Sequence, residues 1–263
     1  FGSGASTLQD WTAVNANGKN ALQGKINALP DRPEGATNIG AGMQQAQTLM
    51  ESSYNYTGSN NDRQKVVVTF TDGVPTTQSD FDTSVANTAI AAAKRMKDSG
   101  TIIYSIGIFN GANPNELYGA SGFDTNSDGT VYSEWTKDKY GLFPGTDFPE
   151  ADRPAANRFL NYVSSNSSNA SDLGLTRSTG GLGLFHRSIT YKITANYAFS
   201  NNNYYLQAFN AEGLNDIFKT ISESIGSPSI SLGTDTVVRD VVTQYFDMPA
   251  DATDVKLFTA EYN

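Results

Sequence analysis

At 263 residues the chain is long enough for one large domain, or for one domain with a substantial insertion. Its formal net charge of −9 repels phosphate backbones and anionic lipid, which excludes nucleic acid and membrane surfaces as partners and suits divalent cations. Cysteine is absent, which excludes a disulfide framework and a thiolate metal site, and no apolar run reaches the ~18 residues of a membrane span.

In chain order, the opening Phe1-Gly2-Ser3-Gly4 carries neither an initiating Met nor a signal peptide and is read as an internal start. Residues 40–50 place Met43, Ala46, Leu49 and Met50 at helical spacing. Lys65-Val66-Val67-Val68-Thr69-Phe70-Thr71 is a β-branched run, the pattern of a strand buried on both faces of a parallel sheet. Asp72-Gly73-Val74-Pro75 ends it with turn residues. Residues 81–97 set Val85, Ala89, Ala92, Ala93 and Met96 on one helical face, and Gly100 closes that helix. A second apolar run, 101–109, follows. Strand, helix and strand with short connections predict a right-handed parallel crossover.

From 110 to 203 the periodicity dissolves into Gly, Asn, Ser, Pro and aromatic residues. A structureless loop of that length does not suit a compact domain, so the segment is expected to be an insertion with partial structure of its own, including a short helix at 157–163 and a strand at 188–195. The α/β pattern returns with a strand at 204–209 and an amphipathic helix at 212–225 on Leu214, Ile217, Phe218, Ile221 and Ile225. Past Pro228, residues 237–242 and 255–260 read as strands of an antiparallel module. The fold class is therefore α/β: a doubly wound, mostly parallel sheet with a long insertion and a C-terminal β-rich segment. The division is 1–109 with 204–226 for the α/β domain, 110–203 for an arm-like insertion, and 227–263 for the β-rich module.

Two loops carry candidate chemistry. Gly35-Ala36-Thr37-Asn38-Ile39-Gly40 is a Gly-rich turn leading into a helix, and Phe70-Thr71-Asp72-Gly73 lies at the carboxyl end of a central strand. Ligands of open α/β sheets bind outside such strand ends. A Thr hydroxyl and an Asp carboxylate converging there are hard oxygen ligands suited to Mg²⁺. Alternatively, Thr37 caps a helix and Asp72 makes a turn.

Gly-x-Thr-x-Ile-Gly, followed by Val-Val-Val-Thr-Phe-Thr-Asp-Gly, resembles the second and third loops of the metal-ion-dependent adhesion site of von Willebrand factor A domains. The opening six residues are similar to the end of that family's second strand, and the helix bearing Leu214 and Phe218 to its closing helix. The resemblance implies Mg²⁺ (or Mn²⁺ or Ca²⁺) held by Thr37 directly and by Asp72 directly or through water. The family's first loop, Asp-x-Ser-x-Ser, neither precedes Phe1 nor occurs elsewhere. It is expected upstream in a parent protein or on a second polypeptide. Among such domains, the chain is similar to those of Gram-positive pilus-tip adhesins, through its long insertion and residues 157–166. That implies adhesion to a protein or glycan ligand on a host cell or extracellular matrix, contact with other pilus or surface subunits, and an extracellular, wall-attached or pilus-tip location. It also implies that 227–263 begin an immunoglobulin-like module.

Within the insertion, Asp124, Asn126 and Asp128 alternate before Gly129, with Thr130 at the seventh position, as in the first half of an EF-hand Ca²⁺ loop. Trp135 occupies the twelfth position and Glu134 falls one place early. The competing reading is an Asp/Asn/Gly turn. Asp147, Glu150 and Asp152 read as a solvated acidic loop rather than a catalytic carboxylate pair. The single histidine, His186, reads as structural. The sequons at Asn55, Asn166 and Asn169 are expected by chance in so Asn- and Ser-rich a chain. Besides adhesion, two readings stay open: a structural pilus or surface-assembly subunit with architectural metal and, against the lack of a base or nucleophile, a metal-assisted hydrolase.

Overall fold

The computed structural model of the chain describes residues 2–13, 15–29, 35–52, 64–71, 75–77, 81–109, 111–115, 124–125, 130–136, 152–180 and 186–226. Its elements are α1 (Ala16–Asn27), α2 (Ile39–Ser52), β1 (Val66–Thr71), α3 (Thr83–Asp98), β2 (Ile102–Gly107), β3 (Asp124–Thr125), β4 (Thr130–Thr136), α4 (Arg153–Val163), β5 (Leu175–Gly180), β6 (His186–Ile193), β7 (Tyr205–Gln207) and α5 (Ala211–Gly226). Two compact units divide the chain, Phe1–Ile225 and Gly226–Asn263. The β-rich segment expected at 227–263 lies outside the described residues.

The first unit is built on a parallel sheet in the order β1-β2-β7, with Val66 opposite Ile102 and Ser105 opposite Tyr205. Successive strand side chains point to opposite faces, and both faces are covered. Val67 and Ile103 join Ile39 and Met43 of α2 and Val85, Ile90 and Met96 of α3 on one side. Tyr104, Ile106, Val66 and Val68 meet Leu214, Ile217 and Ile221 of α5 on the other. A mostly parallel sheet with helices on both faces is the doubly wound arrangement. Each fully buried Ile (39, 90, 103, 106) contributes roughly 1.5–3 kcal/mol, more than helix propensity supplies at any position.

Small residues let α2 and α3 approach closely. A Cβ on Gly40 would stand 2.9 Å from the carbonyl of Val85, so glycine is needed there. Asp82 starts α3 by accepting from the N–H groups of Ser84 and Val85, and Gly100 follows its end at φ 82°.

Three features differ from the sequence reading. Residues 2–13 form no strand, because their backbone bonds go elsewhere: the N–H of Gly2 donates to Gly4, and the carbonyl of Gly2 accepts from Asn38. Helix α1 was not expected from the sequence; Gly18 is its one buried residue, while Leu22 and Ile26, spaced one turn apart, are exposed. The strand read at 204–209 is limited to Tyr205–Gln207, and Phe209 is 76% exposed.

Within 110–203 lies a second, antiparallel sheet in the order β3-β4-β6-β5. Helix α4 packs against β2 and α3 and is buried from Pro154 to Val163. A helix buried all round must satisfy its polar side chains internally. Asn157 donates to Gly111 and accepts from Asn113 and from the Tyr205 hydroxyl, while Asn161 accepts from Asn166.

Candidate functional site

The loop that enters α2 and the loop that leaves β1 are joined through two threonines. The N–H of Thr76 donates to the carbonyl of Thr37 at 3.0 Å, and the N–H of Thr37 donates to the hydroxyl of Thr76 at 3.0 Å. Thr76 is buried and Thr37 half-buried.

Both loops are braced from behind. Gly35 sits at φ 86°, a left-handed conformation that favours glycine, with its Cα packed beside Ser3. Gly2 and Ser3 accept from the backbone N–H and side-chain amide of Asn38 at 2.8 and 3.1 Å. On the other loop, the N–H of Asp82 donates to Pro75 at 2.8 Å, and the Thr77 hydroxyl donates to the Asp82 carboxylate at 2.9 Å. The α3 cap therefore also anchors the loop after β1.

The alternative that Thr37 caps the helix is corrected. The cap is Asn38, whose side-chain oxygen accepts from Ala41 at 3.1 Å. Thr37 gives its N–H to Thr76, its carbonyl accepts from both Thr76 and Ile39, and its hydroxyl has no hydrogen-bond partner among the described residues. Asp72, the second residue of the metal reading, lies outside the described residues. Among the described residues no three His, Cys, Asp or Glu side chains gather at one point. A neutral hydroxyl on a braced loop tied to Thr76 suits a divalent cation among oxygen donors, and does not suit a thiolate or imidazole centre.

Residues 1–135 match the von Willebrand factor type A domain. The chain belongs to this family. Its members are commonly involved in adhesion, in metal-dependent binding and in protein–protein interaction. No curated protein matches the chain.

The described residues of the second candidate site in this von Willebrand factor A domain lie on the antiparallel strands β3 and β4. Asp124 opens β3 opposite Tyr132, Thr130 opens β4, and Glu134 pairs with Ser188 of β6. Asn126 and Asp128 lie outside the described residues.

Asp152 is not part of a solvated acidic loop. It is 1% exposed, accepts from Arg177 at 3.1 and 3.3 Å, and takes the Tyr191 hydroxyl as a further donor. Burial first, and the Asp152 charge second, hold the Tyr191 phenol well above its ordinary pKa. The carboxylate is thus committed to structure; Asp147 and Glu150 lie outside the described residues. His186 opens β6 opposite Thr136. The Asn166 sequon is buried, with its amide bonded to Asn161, while Asn169 is exposed.

Two polar groups of the domain escaped the sequence reading. Asn38 carried a usable signal, an Asn directly before the first apolar helical residue. Thr76 carried none, since its role depends on the meeting of loops 39 residues apart.

Proposed function

We propose that this von Willebrand factor A domain is a metal-dependent adhesion module and not an enzyme. It binds a protein or glycan ligand on a host cell or in the extracellular matrix. The observation that carries the reading is the Thr37–Thr76 junction: a family-matched threonine, fixed through its backbone, with its hydroxyl uncommitted among the described residues. Thr37 and Asp72 are the ligands assigned to Mg²⁺, or to Mn²⁺ or Ca²⁺. When bound, the cation offers a Lewis-acidic position that takes an oxygen, such as a carboxylate, from the adhesion partner. The protein's part is to hold the hydroxyl in place and keep its backbone groups satisfied.

The likeness to Gram-positive pilus-tip domains supports an extracellular, wall-attached or pilus-tip location, with other pilus or surface subunits as neighbours. A separate Ca²⁺ is proposed on Asp124, Asn126, Asp128, Thr130 and Glu134. An exposed apolar row on and just after α1, Leu22, Ile26 and Leu29, favours a second reading as a structural assembly subunit.

The test is binding of the full-length protein to a panel of matrix proteins and glycans, in Mg²⁺ and in EDTA. Binding lost in EDTA and in Thr37→Ala supports adhesion through the cation. Binding indifferent to EDTA, or no binding beside metal-independent self-assembly, overturns it.

A further inference from the structure

We infer that Thr76 is a positioning residue of the cation site, acting through the backbone of Thr37. The inference rests on the proposed function, which makes the Thr37 hydroxyl a ligand. A coordinating oxygen has to be held within about 0.5 Å of its working position by residues that are themselves fixed. Thr37 sits in a short loop between Gly35, at φ 86° beside Ser3, and Asn38, which is fixed by α2 and by Gly2 and Ser3. Its N–H is held by Thr76 alone, and its carbonyl is shared between Thr76 and the N–H of Ile39 at 2.9 Å. The Thr76 hydroxyl takes the N–H on one side of the residue, and the Thr76 N–H takes the carbonyl on the other.

Two bonds to one partner, bracketing a single α-carbon, restrict the rotation that would swing the side chain away. Thr76 is 8% exposed, so water is poorly placed to replace its oxygen. Its own position is set by Pro75 and Thr77, both tied to Asp82 at the start of α3. A merely structural tie between loops would be felt in stability alone. A positioning role is felt in the affinity for the cation.

Thr76→Val keeps the shape and the backbone N–H but removes the acceptor for Thr37; Thr76→Ser keeps the acceptor. Mn²⁺ affinity is measured by calorimetry on the full-length protein, with melting temperature recorded separately in EDTA. The expected result is about tenfold weaker binding in Thr76→Val, equivalent to roughly 1.4 kcal/mol, with near wild-type affinity in Thr76→Ser. Unchanged affinity in Thr76→Val overturns the role of Thr76 while leaving the site in place, even if the melting temperature falls. Equal weakening in both variants also overturns it. A wild-type protein that binds no Mn²⁺, or a Thr37→Ala variant that binds it as tightly, overturns the proposed function and this inference with it.

Discussion

The guanidinium of Arg158 lies over the ring of Tyr162, 4.6 Å from its centroid and one turn further along the buried helix α4. The same group donates to the carbonyls of Leu173 and Ala195 and to the side chain of Asn196. One residue thus fastens two stretches of backbone to α4. Arg158→Met is expected to cost about 3 kcal/mol, because buried acceptors lose a charged donor. Arg158→Lys is expected to cost about 2 kcal/mol, since an ammonium cannot reproduce the planar fork. Urea unfolding midpoints measure both. Losses below about 0.5 kcal/mol, typical of a plain surface site, contradict the assignment.

Tyr191 and Arg177 hold the buried Asp152 between the second sheet and the start of α4. Tyr191→Phe is expected to cost roughly 1–3 kcal/mol at neutral pH by taking a donor from a buried carboxylate. The phenol is raised above its ordinary value of 10.0, so the folded state keeps a proton that the unfolded state releases. Its contribution is fully present below pH 10 and is lost as pH rises beyond it. The stability gap between wild type and Tyr191→Phe therefore narrows above about pH 10, followed by denaturation at fixed ionic strength. A gap that widens there contradicts the network.

Lys97 has the opposite sign. Its ammonium donates to the carbonyls of Tyr162 at 2.7 Å, Ser164 at 3.0 Å and Ser167 at 2.5 Å. Burial first, and Lys94 second, lower its pKa from 10.5 to about 8. Below about pH 8 the folded chain carries the cost of a buried charge. Between about 8 and 10.5 the unfolded state binds the extra proton, so stability rises with pH. Across that window wild type gains up to about 3 kcal/mol over Lys97→Met, at ~1.36 kcal/mol per pH unit. A difference that stays level from pH 7 to about 10 contradicts the lowered pKa.

Gly40 is expected to resist substitution despite lying in a helix, where alanine is ordinarily better by about 1 kcal/mol. The atom a Cβ would strike is a backbone carbonyl, that of Val85, with Thr88 Cβ at 3.1 Å behind it. Overpacking of this kind costs about 1–3 kcal/mol, so Gly40→Ala is expected to be destabilising on balance. A thermal melt decides the sign, and a stabilised variant would show that α2 moves freely against α3.

The parallel sheet and its helices were legible because residues 65–109 pair a β-branched run with a helical period, and both patterns follow from burial. Helix α2 and helix α5 were legible for the same reason. Helix α1 was missed because Leu22 and Ile26 are its only large apolar residues, too few to mark a stripe. A helix was expected at 157–163, inside α4, but its burial on every side was not, because Asn157, Arg158 and Asn161 inside it break the polar-out rule. At the candidate site, the motif marked the loop that carries Thr37. The Thr76 tie was not legible, since a hydrogen bond between loops leaves no trace in local composition. Asp152 was misread because its burial depends on Arg177 and Tyr191, far along the chain.

The most direct test is a Mg²⁺ and Mn²⁺ titration of the full-length protein, followed by melting temperature, alongside Thr37→Ala and Asp72→Ala. A ligand that binds only the folded state stabilises it by about 2.7 kcal/mol at a hundred times its Kd. The account predicts a rise in melting temperature that saturates with cation in wild type and disappears in both variants. A wild-type curve indifferent to both ions, or a rise that survives both substitutions, would contradict it.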